Sequence, residues 1–130
     1  MLDATPVLVI CEEGKNREDV AAAIGKCGLR PICCSDWNEA QPIVARGEYS
    51  LVFCSDTLPD SDFRAVIKAV EPVPVIVLSR VDEWDAYLTA LHAGAFNYIA
   101  SPPDPAETGR ILWSALGESS RRANFAQAHV

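Results

Sequence analysis

Residues 50–59 read Ser50-Leu51-Val52-Phe53-Cys54-Ser55-Asp56-Thr57-Leu58-Pro59. An unbroken apolar run gives way to Ser, Asp and Thr, and a proline closes the stretch. A run with no polar face has nothing to offer water, so it belongs to a strand covered on both sides, the kind found inside a parallel sheet. Open α/β sheets carry their chemistry at the C-terminal edge of the strands. Here that edge is the polar end of the run.

Similar runs flank it. Upstream, Val7-Leu8-Val9-Ile10 is a first strand ending at Cys11-Glu12-Glu13-Gly14. A helix follows over about 17–27, with Asn16 as its N-cap and Gly28 as its stop. Residues 30–34 form a second strand, compromised by Pro31, which cannot donate to a ladder. A second helix spans about 38–46; Pro42 argues for a late start, and Gly47 ends it. Downstream, Ser61 caps a short helix that Pro72 prevents from continuing. Val73 to Ser79 reads as a fourth strand, and residues 82–93 as a helix with Gly94 just past its end. Residues 96–99 form a short fifth strand, followed by the rigid turn Ser101-Pro102-Pro103. Asp104-Pro105-Ala106-Glu107 opens the last helix with an acidic cap, proline at the first helical position and glutamate at the third. That helix is predicted to end near Gly117. Five β-α repeats in succession imply a parallel sheet with helices on both faces.

The bulk properties narrow the function. The chain has 130 residues, 49% hydrophobic and 22% charged, which suits one globular domain. Its net charge of −7 disfavours nucleic acid as a direct partner, because phosphate binding needs a basic surface. No apolar run approaches a membrane span and no export signal is visible, so a cytoplasmic protein with no membrane contact is expected. No glycine-rich phosphate loop occurs. Ser55, Ser79 and Ser101 have no base placed for a hydrolase triad, so no enzyme activity is expected. The five cysteines, Cys11, Cys27, Cys33, Cys34 and Cys54, form no CxxC pair and read as buried free thiols. His92 and His129 are too far apart to form a metal cluster.

The ends of strands 1, 3, 4 and 5 present Cys11 and Glu12, Ser55 and Asp56, Ser79 and Arg80, and Ser101 along one edge. The (βα)5 order, the acidic loop after strand 1, the hydroxyl ending strand 4 and the run HAGAFNYIASPPD after VIVLSR resemble the receiver domain of bacterial two-component response regulators. The match spans about residues 6 to 117. The resemblance implies a flavodoxin-like doubly wound (βα)5 fold with strand order 2-1-3-4-5. It implies a receiver-like domain over 1–118, with 119–130 a flexible tail or the start of a linker, and a cis bond at Ser101–Pro102.

The resemblance also implies a mechanism. Two acids after strand 1 and an Asp ending strand 3 hold Mg²⁺. The Asp takes a phosphoryl group from a histidine kinase in a phosphorelay. A hydroxyl ending strand 4 and a Lys before the cis-proline grip that group, and an aromatic on strand 5 turns inward. In this sequence the acidic pair falls on Cys11 and Glu12, and the phosphoacceptor, four residues before Pro59, on Ser55. The switch hydroxyl falls on Ser79, the aromatic on Tyr98, the lysine on Ser101 and the cis-proline on Pro102. A thiol is a poor Mg²⁺ ligand, a serine cannot form an acyl phosphate, and without the lysine a phosphoryl charge lacks compensation. The expectation is therefore a degenerate receiver, or pseudo-receiver, with no metal or other cofactor, that signals by protein–protein interaction. The alternative is an active atypical receiver phosphorylated on Asp56, with Glu12 and Asp56 as Mg²⁺ ligands. Trp84, Tyr98 and Trp113 mark the face of helix 4, strand 5 and helix 5 as the surface for a protein partner or a homodimer. A histidine kinase and an output domain are further partners that the resemblance implies.

Overall fold

The structure, a computed structural model, describes residues 6–128. His129 lies outside them. Strands β1 (Pro6–Ile10), β2 (Arg30–Cys34), β3 (Leu51–Ser55), β4 (Val75–Ser79) and β5 (Asn97–Ala100) form one parallel sheet in the order β2-β1-β3-β4-β5. This is the expected flavodoxin-like topology. Pro31 fits because β2 is an edge strand, where a missing donor costs no ladder bond on the open side.

Strands β1, β3 and β4 bury both faces by alternation, whereas the edge strand β2 leaves Arg30 and Cys33 exposed. Val7, Val9, Leu51, Phe53, Ile76 and Ile99 pack beneath helices α1 (Lys15–Lys26) and α5 (Pro105–Ala128), against Val20, Ile24 and Leu112. Leu8, Ile10, Val52, Cys54, Val75 and Val77 point the other way. They meet α2 (Trp37–Arg46), α3 (Phe63–Val70) and α4 (Trp84–His92), through Ala40, Phe63, Val66, Ile67 and Ala90. The apolar run at 51–54 is thus the centre of both cores at once, which is why it has no polar residue.

Several helix boundaries differ from the expectation, each for a local reason. Asn16 does not cap α1; the helix begins at Lys15 after Gly14, with no side-chain cap. Asp62, not Ser61, caps α3, accepting from the Ala65 amide at 3.1 Å, because the Ser61 carbonyl is held in a turn by the Leu58 amide at 3.0 Å. Pro42 does not delay α2 but lies inside it. The early start is secured by Asp36, which accepts from the Glu39 amide at 2.8 Å, and by Asp60, whose carboxylate accepts from the Trp37 and Asn38 amides at 3.0 and 2.9 Å. These bonds satisfy the free amides of the first turn. Asp104 caps α5 as expected, accepting from the Glu107 amide at 2.9 Å.

The expected stop near Gly117 does not occur, and α5 runs on to Ala128. Glu118 pairs with Arg121 and Arg122 one turn later, and Arg122 Nη1 donates to the Pro72 carbonyl at 2.8 Å. Such i,i+3 and i,i+4 pairs and a tertiary anchor oppose the roughly 1 kcal/mol that a helical glycine costs. Ser101–Pro102 is cis, as the resemblance implied, and Glu71–Pro72 is cis as well.

Candidate functional site

The C-terminal edge of the sheet forms two neighbouring concavities. Cys11, Glu12, Ser55, Asp56, Ser79 and Arg80 line a cleft of about 490 Å³. Tyr98, Ser101 and Pro102 line a second groove of about 690 Å³, together with Trp84. Trp113 lines neither groove. On α5 it stands two residues from Ile111, which does line the second groove, and two residues are about 200° around a helix.

Asp56 occupies the centre of the first cleft. Its amide donates to the Leu78 carbonyl at 2.8 Å, which continues the β3–β4 pairing one step beyond Ser55. Its carboxylate accepts two hydroxyl bonds, from Ser79 Oγ at 2.9 Å and from Thr57 Oγ1 at 3.3 Å. Ser79 is 4% exposed and its oxygen is used twice, because it also accepts from the Val81 amide at 3.0 Å. The Val81 carbonyl in turn accepts from the Tyr98 hydroxyl. Tyr98 is buried, with its ring turned inward. One hydrogen-bonded chain, Asp56–Ser79–Val81–Tyr98, therefore runs from the first cleft to the second groove. The loop after Asp56 is held by the Thr57–Asp62 bridge and by the bonds that tie Asp60 to α2.

The other edge positions are engaged differently. Ser101 Oγ donates to Asn16 Oδ1 at 2.6 Å, and its amide donates to the Ser79 carbonyl at 2.7 Å. The Ser101 hydroxyl thus ties the end of β5 to α1. Glu12 is exposed. Glu13 pairs with Arg17 at 3.5 Å, and Arg17 also donates to the Cys11 carbonyl at 3.3 Å. Arg80 is exposed. Magnesium requires hard oxygen ligands in near-octahedral order. The cleft offers a buried thiol at Cys11 and the carboxylates of Glu12 and Asp56. Among the described residues no three His, Cys, Asp or Glu side chains converge on one point. The hard oxygen donors of the cleft are thus the carboxylates of Glu12 and Asp56.

Cys11, just past the end of β1, and Cys54, on the neighbouring β3, lie in opposite helix layers, Cys11 beneath α1 and α5 and Cys54 beneath α2–α4. Burial pushes the Cys54 thiol well above the ordinary range. Sequence reasoning missed Asn16, Val81 and Asp60 as site residues. For Val81 no signal existed, because its backbone acts. For Asn16 the only signal was a polar residue at the start of a helix by the strand edge.

No protein-family model matches the chain. Over 113 residues, 84% of its length, it is 24% identical to the response regulator protein PilR of Pseudomonas aeruginosa, covering 25% of that protein. Over 100 residues, 73% of its length, it is 31% identical to the transcriptional regulatory protein PmrA of Pectobacterium parmentieri, covering 45% of that protein. The chain thus spans a quarter to under half of the length of these curated relatives. Among solved structures, the Francisella response regulator 1452 receiver domain superposes with a TM-score of 0.78 at 19% identity, covering 88% of this chain and 98% of that one. The fold is that of response-regulator receiver domains.

Proposed function

We propose that this chain is a receiver-like signalling module of the two-component type that works without phosphoryl transfer and acts through protein–protein contact in the cytoplasm. The receiver fold and the similarity to response regulators support the signalling class. The observation that carries the finer reading is the Ser79–Asp56 hydrogen bond at 2.9 Å, at a sheet edge where the resemblance puts Ser55 at the acceptor position in the same cleft and Ser101 at the lysine position in the neighbouring groove. An ordinary receiver needs a phosphoryl oxygen to draw the switch hydroxyl in. Here a carboxylate of the chain itself performs that role. A charged acceptor makes the stronger kind of hydrogen bond, so the arrangement is held without an external group. A serine at the acceptor position cannot form an acyl phosphate, and Ser101 brings no charge to offset a phosphoryl group.

The test is incubation with acetyl phosphate and Mg²⁺, read by intact mass. An unmodified mass is the expected result. Addition of one phosphoryl group that is lost in Asp56→Asn would overturn the reading.

One observation favours a second reading, in which Asp56 is a displaced acceptor: it shares the cleft with Glu12 and already faces the Ser79 hydroxyl. Amide chemical shifts with beryllofluoride separate the two. Shifts at Glu12, Asp56, Ser79 and Tyr98 belong to the second reading, and silence belongs to the first. A histidine kinase upstream and an output domain in a longer protein belong to the proposal through the resemblance to response regulators.

A further inference from the structure

The second groove opens between α4, β5 and the first turn of α5. Asp82, Glu83, Asp104 and Glu107 rim it, and no Lys, Arg or His lines it. None of these four carboxylates forms an ion pair among the described residues. Within the rim, Trp84 is 70% exposed and stacks on Tyr87 with ring centroids 5.3 Å apart. Tyr87 meets Tyr98 edge-on at 6.0 Å. Just outside the lining, Val81, at 39%, is a further exposed apolar residue, and its carbonyl accepts the Tyr98 hydroxyl bond. An aromatic face left open among unpaired carboxylates is a surface that water serves poorly and that a cation serves well.

We propose that this groove docks a basic segment of another protein, one presenting two or more Lys or Arg side chains with apolar residues between them. The proposal rests on the reading of the chain as a contact module and supplies the chemistry of its partner. A guanidinium can lie on the free face of Trp84 while its neighbours pair with Glu83 and Glu107. A second copy of this chain fits less well. A two-fold contact sets the same surface against itself, so the four carboxylates would face their own duplicates. The net charge of −7 adds to that repulsion.

The experiment uses the full chain and two synthetic peptides of equal length, one with Arg and Lys at alternate positions and one with Glu in their place. Binding is followed by fluorescence anisotropy and by amide shift mapping. The expected result is binding of the basic peptide only, with shifts at Glu83, Trp84, Tyr87 and Glu107. The double variant Glu83→Lys/Glu107→Lys should weaken it about tenfold or more, since each reversal replaces an attraction by a repulsion. Trp84→Ala should weaken it about threefold or more through the lost cation–π contact. Glu18→Lys/Glu48→Lys, with the same net charge but exposed carboxylates elsewhere, should bind as the wild type does. Equal loss in that control, shifts away from the groove, or binding of the acidic peptide overturns the proposal. So does a dimer by light scattering that Glu83→Lys/Glu107→Lys abolishes. Absence of peptide binding with no phosphoryl adduct defeats the docking chemistry alone. An adduct with binding intact defeats the phosphorylation-independent reading alone.

Discussion

Removing the Ser79 hydroxyl should cost more than one hydrogen bond. Its oxygen donates to the Asp56 carboxylate and accepts from the Val81 amide, at 2.9 and 3.0 Å, from a position 4% exposed. A hydrogen bond to a charged group contributes about 1.5–3 kcal/mol and an ordinary one about 1. Asp56 is half-buried and Val81 is 39% exposed, so water replaces part of each. The expected loss for Ser79→Ala is therefore about 2 kcal/mol. For a domain of this size that lowers Tm by about 6–10 °C. Ser79→Thr keeps the hydroxyl and should lose far less.

The decisive form is a double-mutant cycle with Asp56→Ala, measured by urea unfolding. Because the two side chains share one bond, the coupling energy should be about 1 kcal/mol. The Tyr98 and Val81 amide shifts should move in both single variants, since the chain continues to them. Losses additive to within about 0.5 kcal/mol would refute the idea that Asp56 holds Ser79.

Three further outcomes follow from the same geometry. Near neutral pH a thiol reagent should label the exposed Cys33 first and reach Cys11 and Cys54 only on unfolding, because burial keeps the Cys54 thiol protonated; fast labelling of Cys54 in the folded state would contradict its placement. Gly94→Ala should destabilise by about 1–2 kcal/mol, since φ is +107° there and a Cβ would meet Ile67 Cγ2 at 3.4 Å; an unchanged urea midpoint would speak against that backbone. Hydrogen bonds from Arg121 and Arg122 hold the Glu118 carboxyl below its usual range. Its stabilising contribution is thus present above the ordinary glutamate pKa and lost as pH falls through the lowered value. Carbon NMR titration should show the value rise in Arg121→Ala/Arg122→Ala, and a wild-type value in the ordinary range would remove the effect.

The candidate edge was only partly legible in the sequence, and Ser55 and Asp56 show why. Counting back from Pro59 places Ser55 at the acceptor position, and that count is blind to where each side chain goes after the strand ends. In the folded chain the ladder extends one amide further, to Asp56, and the Asp56 carboxylate meets Ser79. The caps were misassigned for a related reason. Asn16 and Ser61 are good capping residues, but Asn16 accepts from Ser101, 85 positions away, and Ser61 is held by Leu58. Local propensity offers several starts, and tertiary contacts choose among them. Trp84 lines the second groove and Trp113 stands exposed on α5 outside it, a setting that follows from packing Thr108, Leu112 and Ala115 inward.

The sequence by itself determined the five β-α units and the parallel sheet. Continuous apolar strands and amphipathic helices leave few ways to bury every apolar surface, and right-handed crossovers leave fewer. It also determined which side chains the strand ends carry, Ser55 and Asp56 after β3 and Ser101 after β5. Only the tertiary structure decided how they are joined: the Asp56–Ser79–Val81–Tyr98 chain, the Ser101–Asn16 tie and the acidic groove around Trp84. Those partners lie far apart along the chain, and a hydrogen bond depends on distances and angles that no residue pattern encodes.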